Sequence, residues 1–206
     1  LGVVAERRIT DTTQADDPIA ALRIRADDYA PGDTDLAWTR ITLWRTLVAG
    51  VFDATDTDPV GVTITASPKD PSAALLGGWL TARLGVRPEL HAVSEPAMRG
   101  LTIDLSDGGT VEITRHGDSA RVRRTGLPDR DLPLADRSVG DELAEELRRL
   151  DPDQPYAAAL AAATGTDGLA DRPPTRVHVW HDPALAERPD PPESEGVDAG
   201  MAGSAR

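Results

Sequence analysis

From Asp33 to Asp53 the apolar residues fall at Ala37, Ile41, Trp44, Val48 and Val51/Phe52, the 3-then-4 spacing of one buried helical face. Asp33, Thr34 or Asp35 can each accept the free N–H groups of the first turn, and acid there suits the positive end of the helix dipole. A further helix is expected from Pro71, with Asp70 as its cap, Gly85 as its stop, and Leu75, Leu76, Trp79, Leu80 and Leu84 as its buried stripe. The pair Gly77-Gly78 inside it costs about 1 kcal/mol each against Ala, so two glycines beside a Trp predict close approach of another backbone. After Ser138 a capping box with Asp141 in place of Glu opens a helix expected to bury Val139, Leu143, Leu147 and Leu150. Its acids Asp141, Glu142, Glu145 and Glu146 then form a solvated face, with Glu145→Arg149 as an i,i+4 pair. Shorter helices are expected around Pro18–Ala26 and Tyr156–Ala163.

Alternation marks the strands. Val60, Val62 and Ile64 alternate with Gly61, Thr63 and Thr65, a half-buried strand. Leu101–Arg124 reads as a β-meander. Leu101, Ile103 and Leu105 must face the same way as Val111 and Ile113, and a three-residue loop Asp107-Gly108-Gly109 gives that parity. The two-residue turn Gly117-Asp118 then sets Ile113 opposite Val122 and Glu112 opposite Arg123. Leu132 and Leu134 are expected in one more short strand.

These elements give an α+β fold: an antiparallel or mixed sheet with a β-meander, packed by about three to four helices and followed by a flexible acidic tail. Pro31-Gly32 is expected to separate residues 1–30, the end of an upstream N-terminal domain and a connector, from the α+β domain over 31–163. The start at Leu1, without a Met, agrees with an internal piece of a longer protein. From Thr164 to the end the chain is rich in Pro, Gly and acid and is expected to be largely disordered, except for a strand over 176–181, RVHVWH.

Composition narrows the function. A net charge of −13 opposes contact with nucleic acid or anionic lipid. The absence of Cys removes disulfides, thiolate metal sites and a cysteine nucleophile. No apolar run approaches the roughly 18 residues of a membrane span. Neither a phosphate-binding glycine loop nor a nucleophile elbow occurs. His178 and His181 would point to opposite faces of a strand, which is wrong for a shared metal ion. Positive charge gathers at Arg115, Arg121 and Arg123, which could contact an anion such as a phosphorylated sugar, although the Glu112–Arg123 pairing already explains part of that cluster.

Aromatic side chains are only 3% of the chain, yet two of its four Trp and its one Phe lie in Asp33–Asp53. That face either nucleates the core or carries an interface. Trp44 lies on the apolar stripe and suits the core. Trp38 and Arg45 lie off it, and with Arg40 they complete a Trp/Arg cluster of the kind enriched at binding hot spots.

The runs TDLAWTRITLWR (Thr34–Arg45), PSAALLGGWLTARLG (Pro71–Gly85) and SVGDELAEELRRLDPDQPYAAAL (Ser138–Leu160) resemble, in order and spacing, the glucose-6-phosphate dehydrogenase assembly proteins called OpcA, a family of actinobacteria and cyanobacteria. The resemblance implies a non-catalytic cytoplasmic protein of the oxidative pentose phosphate pathway. It implies binding to glucose-6-phosphate dehydrogenase, promotion of that enzyme's active oligomer, and no cofactor or direct substrate, since glucose 6-phosphate and NADP bind the partner. The alternative is a fragment of an α/β enzyme handling a phosphorylated sugar or nucleotide, with the strand–helix unit at 60–85 as its framework.

Overall fold

The computed structural model describes residues 7–52, 57–149 and 151–174. In chain order its elements are β1 (Ile9–Thr10), α1 (Pro18–Asp27), β2 (Thr34–Asp35), α2 (Leu36–Arg40), α3 (Thr42–Phe52), β3 (Pro59–Ala66), α4 (Pro71–Leu84), β4 (Glu89–Ala92), β5 (Gly100–Leu105), β6 (Thr110–His116), β7 (Ser119–Arg124), β8 (Leu127–Pro133), α5 (Val139–Arg148) and α6 (Gln154–Thr164). Short 3₁₀ turns occupy Thr12–Gln14 and Leu169–Asp171. The fold is α+β. A mixed six-stranded sheet runs β4-β3-β5-β6-β7-β8, while β1 and β2 form a separate parallel pair.

Alternation builds the inner face of the sheet. Val62 and Ile64 of β3, Leu101 and Ile103 of β5, and Val111 and Ile113 of β6 are all buried. The meander has the expected parity, with Ile113 opposite Val122 and Glu112 opposite Arg123. Its first loop is one residue earlier than expected. Leu105 donates to the Gly109 carbonyl at 2.9 Å, so the loop is Ser106-Asp107-Gly108, with Gly108 left-handed at φ +82°. Leu101 therefore faces Ile113 and Ile103 faces Val111, a shift of two that keeps every side chain on its face. Gly126, at φ +79°, turns the chain once more, and β8 is a full seven-residue strand.

Two departures come from pairing that periodicity does not encode. The register slips between Pro59 and Gly61, which leaves Val60 60% exposed rather than inward. β4, for which alternation gave no sign, lies parallel to β3 and closes a β3–α4–β4 unit at the sheet edge.

The Trp-bearing segment is two helices, not one. Ile41 ends α2 at φ −88°, ψ 6°, and the Thr42 hydroxyl donates to the Thr39 carbonyl at 2.7 Å, a side-chain competitor for the helical ladder. α4 has the expected cap: Asp70 accepts from the Ser72 N–H at 2.9 Å, and Gly85 stops it at φ +68°. The expected backbone approach is real and belongs to Gly78, which lies against Ala159 and Ala163 of the Ala-rich α6.

Residues 7–30 pack into the same body as those beyond Pro31. Leu22, Ala26 and Tyr29 join the one core cluster, and Thr10 pairs with Asp35 through β1 and β2. Beyond Thr164, Leu169 is 1% exposed, and Arg172 donates to the carbonyls of Ala26, Asp27 and Tyr29. The strand expected over 176–181 lies outside the described residues, as does Leu150.

The glycine pair separates packing from propensity. A Cβ on Gly78 would stand 2.1 Å from the Ala159 carbonyl oxygen, whereas one on Gly77 would meet Ile64 Cδ1 at an ordinary 3.5 Å. Gly78→Ala is expected to lower unfolding free energy by about 3 kcal/mol or more as α6 is pushed away. Gly77→Ala is expected to raise it by up to about 1 kcal/mol. Urea denaturation of the two variants checks both signs.

Candidate functional site

The four residues singled out on the Trp segment are held by this chain itself. Trp38 is fully buried, its ring tilted against Tyr156 at a centroid distance of 5.9 Å. Its Nε1 donates to Asp153 Oδ2 at 2.9 Å, and Asp153 also caps α6 by accepting from the Tyr156 N–H. The Arg45 guanidinium lies over the indole, 3.6 Å from the ring centroid. Burial in that position lowers the Arg45 pKa to about 10, while Asp153 pulls the other way. Trp44 is in the core, as its place on the stripe implied.

Arg40 is clamped between two elements far apart in sequence. Its guanidinium reaches Asp11 at 2.7 and 2.9 Å on one side and Glu142 at 2.9 and 3.0 Å on the other. Burial pushes the Asp11 carboxyl up, but hydrogen bonds from Arg40 and Thr13 outweigh it and hold it below its ordinary range. At Glu142 burial wins over the same arginine, and its pKa is raised. One turn further along α5, Glu146 accepts from the Thr39 hydroxyl at 2.8 Å and from Arg7 at 3.1 Å.

These contacts overturn the expected orientation of α5. Glu142 and Glu146, assigned to a solvated face, are 2% and 0% exposed, while Val139, Leu143 and Leu147, assigned to the core, are 53%, 37% and 69% exposed. The cause is charge. Once Arg40 and Arg7 stand against α5, the helix must present carboxylates to them, because leucines there would leave the cations unpaired. Ser138 still caps α5 and Glu145 still pairs with Arg149, as the spacing implied.

The arginines proposed for an anion do not converge. Arg115 is held by Asp136 at 2.5 Å and by the Leu134 carbonyl, Arg121 by Asp131 at 2.9 Å, and Arg123 by Asp129 at 3.2 Å with Glu112 at 3.5 Å. Each charge is matched locally along the sheet.

The crevice where β3 runs into α4 is the place an α/β enzyme would use for a phosphate. Here it is lined by Asp70 and Glu89 together with Arg87, and the Asp70 carboxylate already takes the helix's free N–H at Ser72. Among the described residues, no three acids or histidines gather as a metal-binding group, and no helix is long and apolar enough to cross a membrane.

A family model of OpcA type, described as the C-terminal domain of a glucose-6-phosphate dehydrogenase subunit, matches residues 31–160. A search of the curated proteins finds no match.

Replacing Arg40 by Met would leave Glu142 and Asp11 without their cation. Arg40→Met is expected to cost about 3–5 kcal/mol at neutral pH. The sign of its pH dependence follows from Asp11. A carboxyl held low in the folded protein adds stability above its unfolded pKa and loses it as pH falls through the folded value. Without Arg40, burial is opposed at Asp11 only by the Thr13 hydrogen bonds, so both carboxyls rise and the change favours the fold at acid pH. The deficit of the variant should therefore shrink below about pH 4, measured as denaturation midpoints of the two proteins between neutral and acid pH. A deficit independent of pH would mean that the clamp is not electrostatic.

Proposed function

This chain belongs to the OpcA family of glucose-6-phosphate dehydrogenase subunits, and on that premise we propose that it is a cytoplasmic, non-catalytic assembly factor. It binds glucose-6-phosphate dehydrogenase, promotes its active oligomer and so raises flux through the oxidative pentose phosphate pathway. The observation that carries this reading is the family match over residues 31–160, the part of the chain that holds the sheet and the helices α2 to α6. The crevice at β3 and α4 supports a partner role over a phosphosugar enzyme, because Asp70 already takes the helix's free N–H and, with Glu89, outnumbers Arg87 there.

An activator shifts an equilibrium only by its differential affinity for two states. In this reading the protein binds the assembled dehydrogenase more tightly than the dispersed enzyme. Glucose 6-phosphate and NADP stay with the dehydrogenase, and this chain supplies a rigid surface. Trp38, Arg40, Trp44 and Arg45 then act by fixing α2 and α3 against α5 and α6, and the surface that meets the partner is built on what they hold.

Mixing the purified chain with its cognate dehydrogenase at micromolar concentration is expected to raise NADPH formation and to give co-elution on size exclusion at a larger size than either protein. The chain alone is expected to give no turnover. Unchanged rates together with separate elution would remove the proposal.

A further inference from the structure

On the outer face of β7 and β8 every arginine meets an acid: Arg121 with Asp131, and Arg123 with Asp129 and Glu112. The inner face follows another rule. The register sets Ala120 beside Leu132, Val122 beside Arg130 and Arg124 beside Leu127, so arginines and apolar side chains share that face. Between it and α3 runs a groove of about 440 Å³. Leu43 and Leu47 line it from α3, and Leu127 and Leu132 from β8. The last two are 54% and 37% exposed, so large apolar surface here has no cover from the described residues.

Arg124 and Arg130 are the charged residues among the described residues that line the groove, and none of those lining residues is an acid. The Arg130 guanidinium has no carboxylate partner among the described residues. The chain as a whole carries a net charge of −13, so an unmatched guanidinium here contrasts with its overall balance. The adjoining strand edge is ill suited to strand addition. Pro128 and Pro133 lack N–H groups, and Asp129, Arg130 and Asp131 make that edge polar. Recognition there is by side chains in the groove.

We propose that this groove is the docking site for the dehydrogenase, and that its occupant is an apolar segment of that enzyme bearing a carboxylate for Arg130. The inference rests on the association proposed above and gives it a place. The Trp segment still takes part, through the adjoining side of α3: its Trp44 side holds the core, and its Leu43 and Leu47 side forms one wall of the groove. The occupant's apolar side chains cover Leu127 and Leu132, and its carboxylate pairs with Arg130.

The test compares the intact chain with Arg130→Glu and Leu127→Ser, both at exposed positions, and with Arg83→Glu on the exposed face of α4 as a control. Dissociation constants for the dehydrogenase are measured by calorimetry, with circular dichroism to confirm folding. Each groove variant is expected to bind about ten-fold or more weakly, with Arg83→Glu unchanged. Binding of the unaltered chain should weaken with added salt more steeply than that of Arg130→Glu. If the unaltered chain binds and both groove variants bind equally well, the docking site is overturned while the association stands. If the unaltered chain does not bind, both fall. Self-association of this chain that Arg130→Glu abolishes would assign the groove to a second copy and overturn the proposal.

Discussion

Arg40, held between Asp11 and Glu142, is the constraint on which the arrangement of the helices depends. A guanidinium at the end of α2 can be enclosed only if carboxylates reach it from the elements that enclose it. One comes from the N-terminal segment and one from α5, more than a hundred residues later. With Thr39 and Arg7 bound to Glu146 alongside, three distant pieces of chain meet at one polar seam. Asp35 extends it: fully buried, it takes the N–H groups of Thr12 and Ala37 and the hydroxyls of Thr10 and Thr12. Hydrogen bonds at both carboxylate oxygens make that burial tolerable.

Apolar burial follows this seam and does not set it. α5 has a clear amphipathic pattern, yet the charges turn its leucines outward. The sheet is simpler. Its inner face alternates as expected, and α4 presses Leu75, Leu76 and Leu80 into the core. The orientation of one helix is thus an electrostatic decision inside a fold otherwise organised by hydrophobic contact.

What was legible in the sequence is what local chemistry controls. The caps at Asp70 and Ser138, the stop at Gly85 and the parity of the meander all follow from residues within one turn or one hairpin, and the glycine pair marks a close approach without naming the α6 residues it meets. The misreadings concern partners distant along the chain. Glu142 and Glu146 look like an ordinary wet face until Arg40 and Arg7 are known to lie against them. The placement of Trp38 depends on Asp153, 115 positions away. Alternation cannot reveal β4, all four of whose residues are exposed, because nothing in its pattern distinguishes an inside from an outside. The strand pattern does separate the arginines: Arg121 and Arg123 pair with Asp131 and Asp129 of β8, while Arg130, between those two acids, falls on the other parity.

Asp153 has a double duty with a mechanical consequence. It begins α6 by capping the Tyr156 N–H, and it holds the Trp38 indole. Farther along, the same helix rests on Gly78 with backbone in contact, so it has no slack toward α4. A displacement of α6 away from that seat withdraws the acceptor from an indole enclosed by Arg45 and Tyr156, and polarity around the ring changes at once. The surroundings of one buried indole are thereby tied to whether α6 is seated.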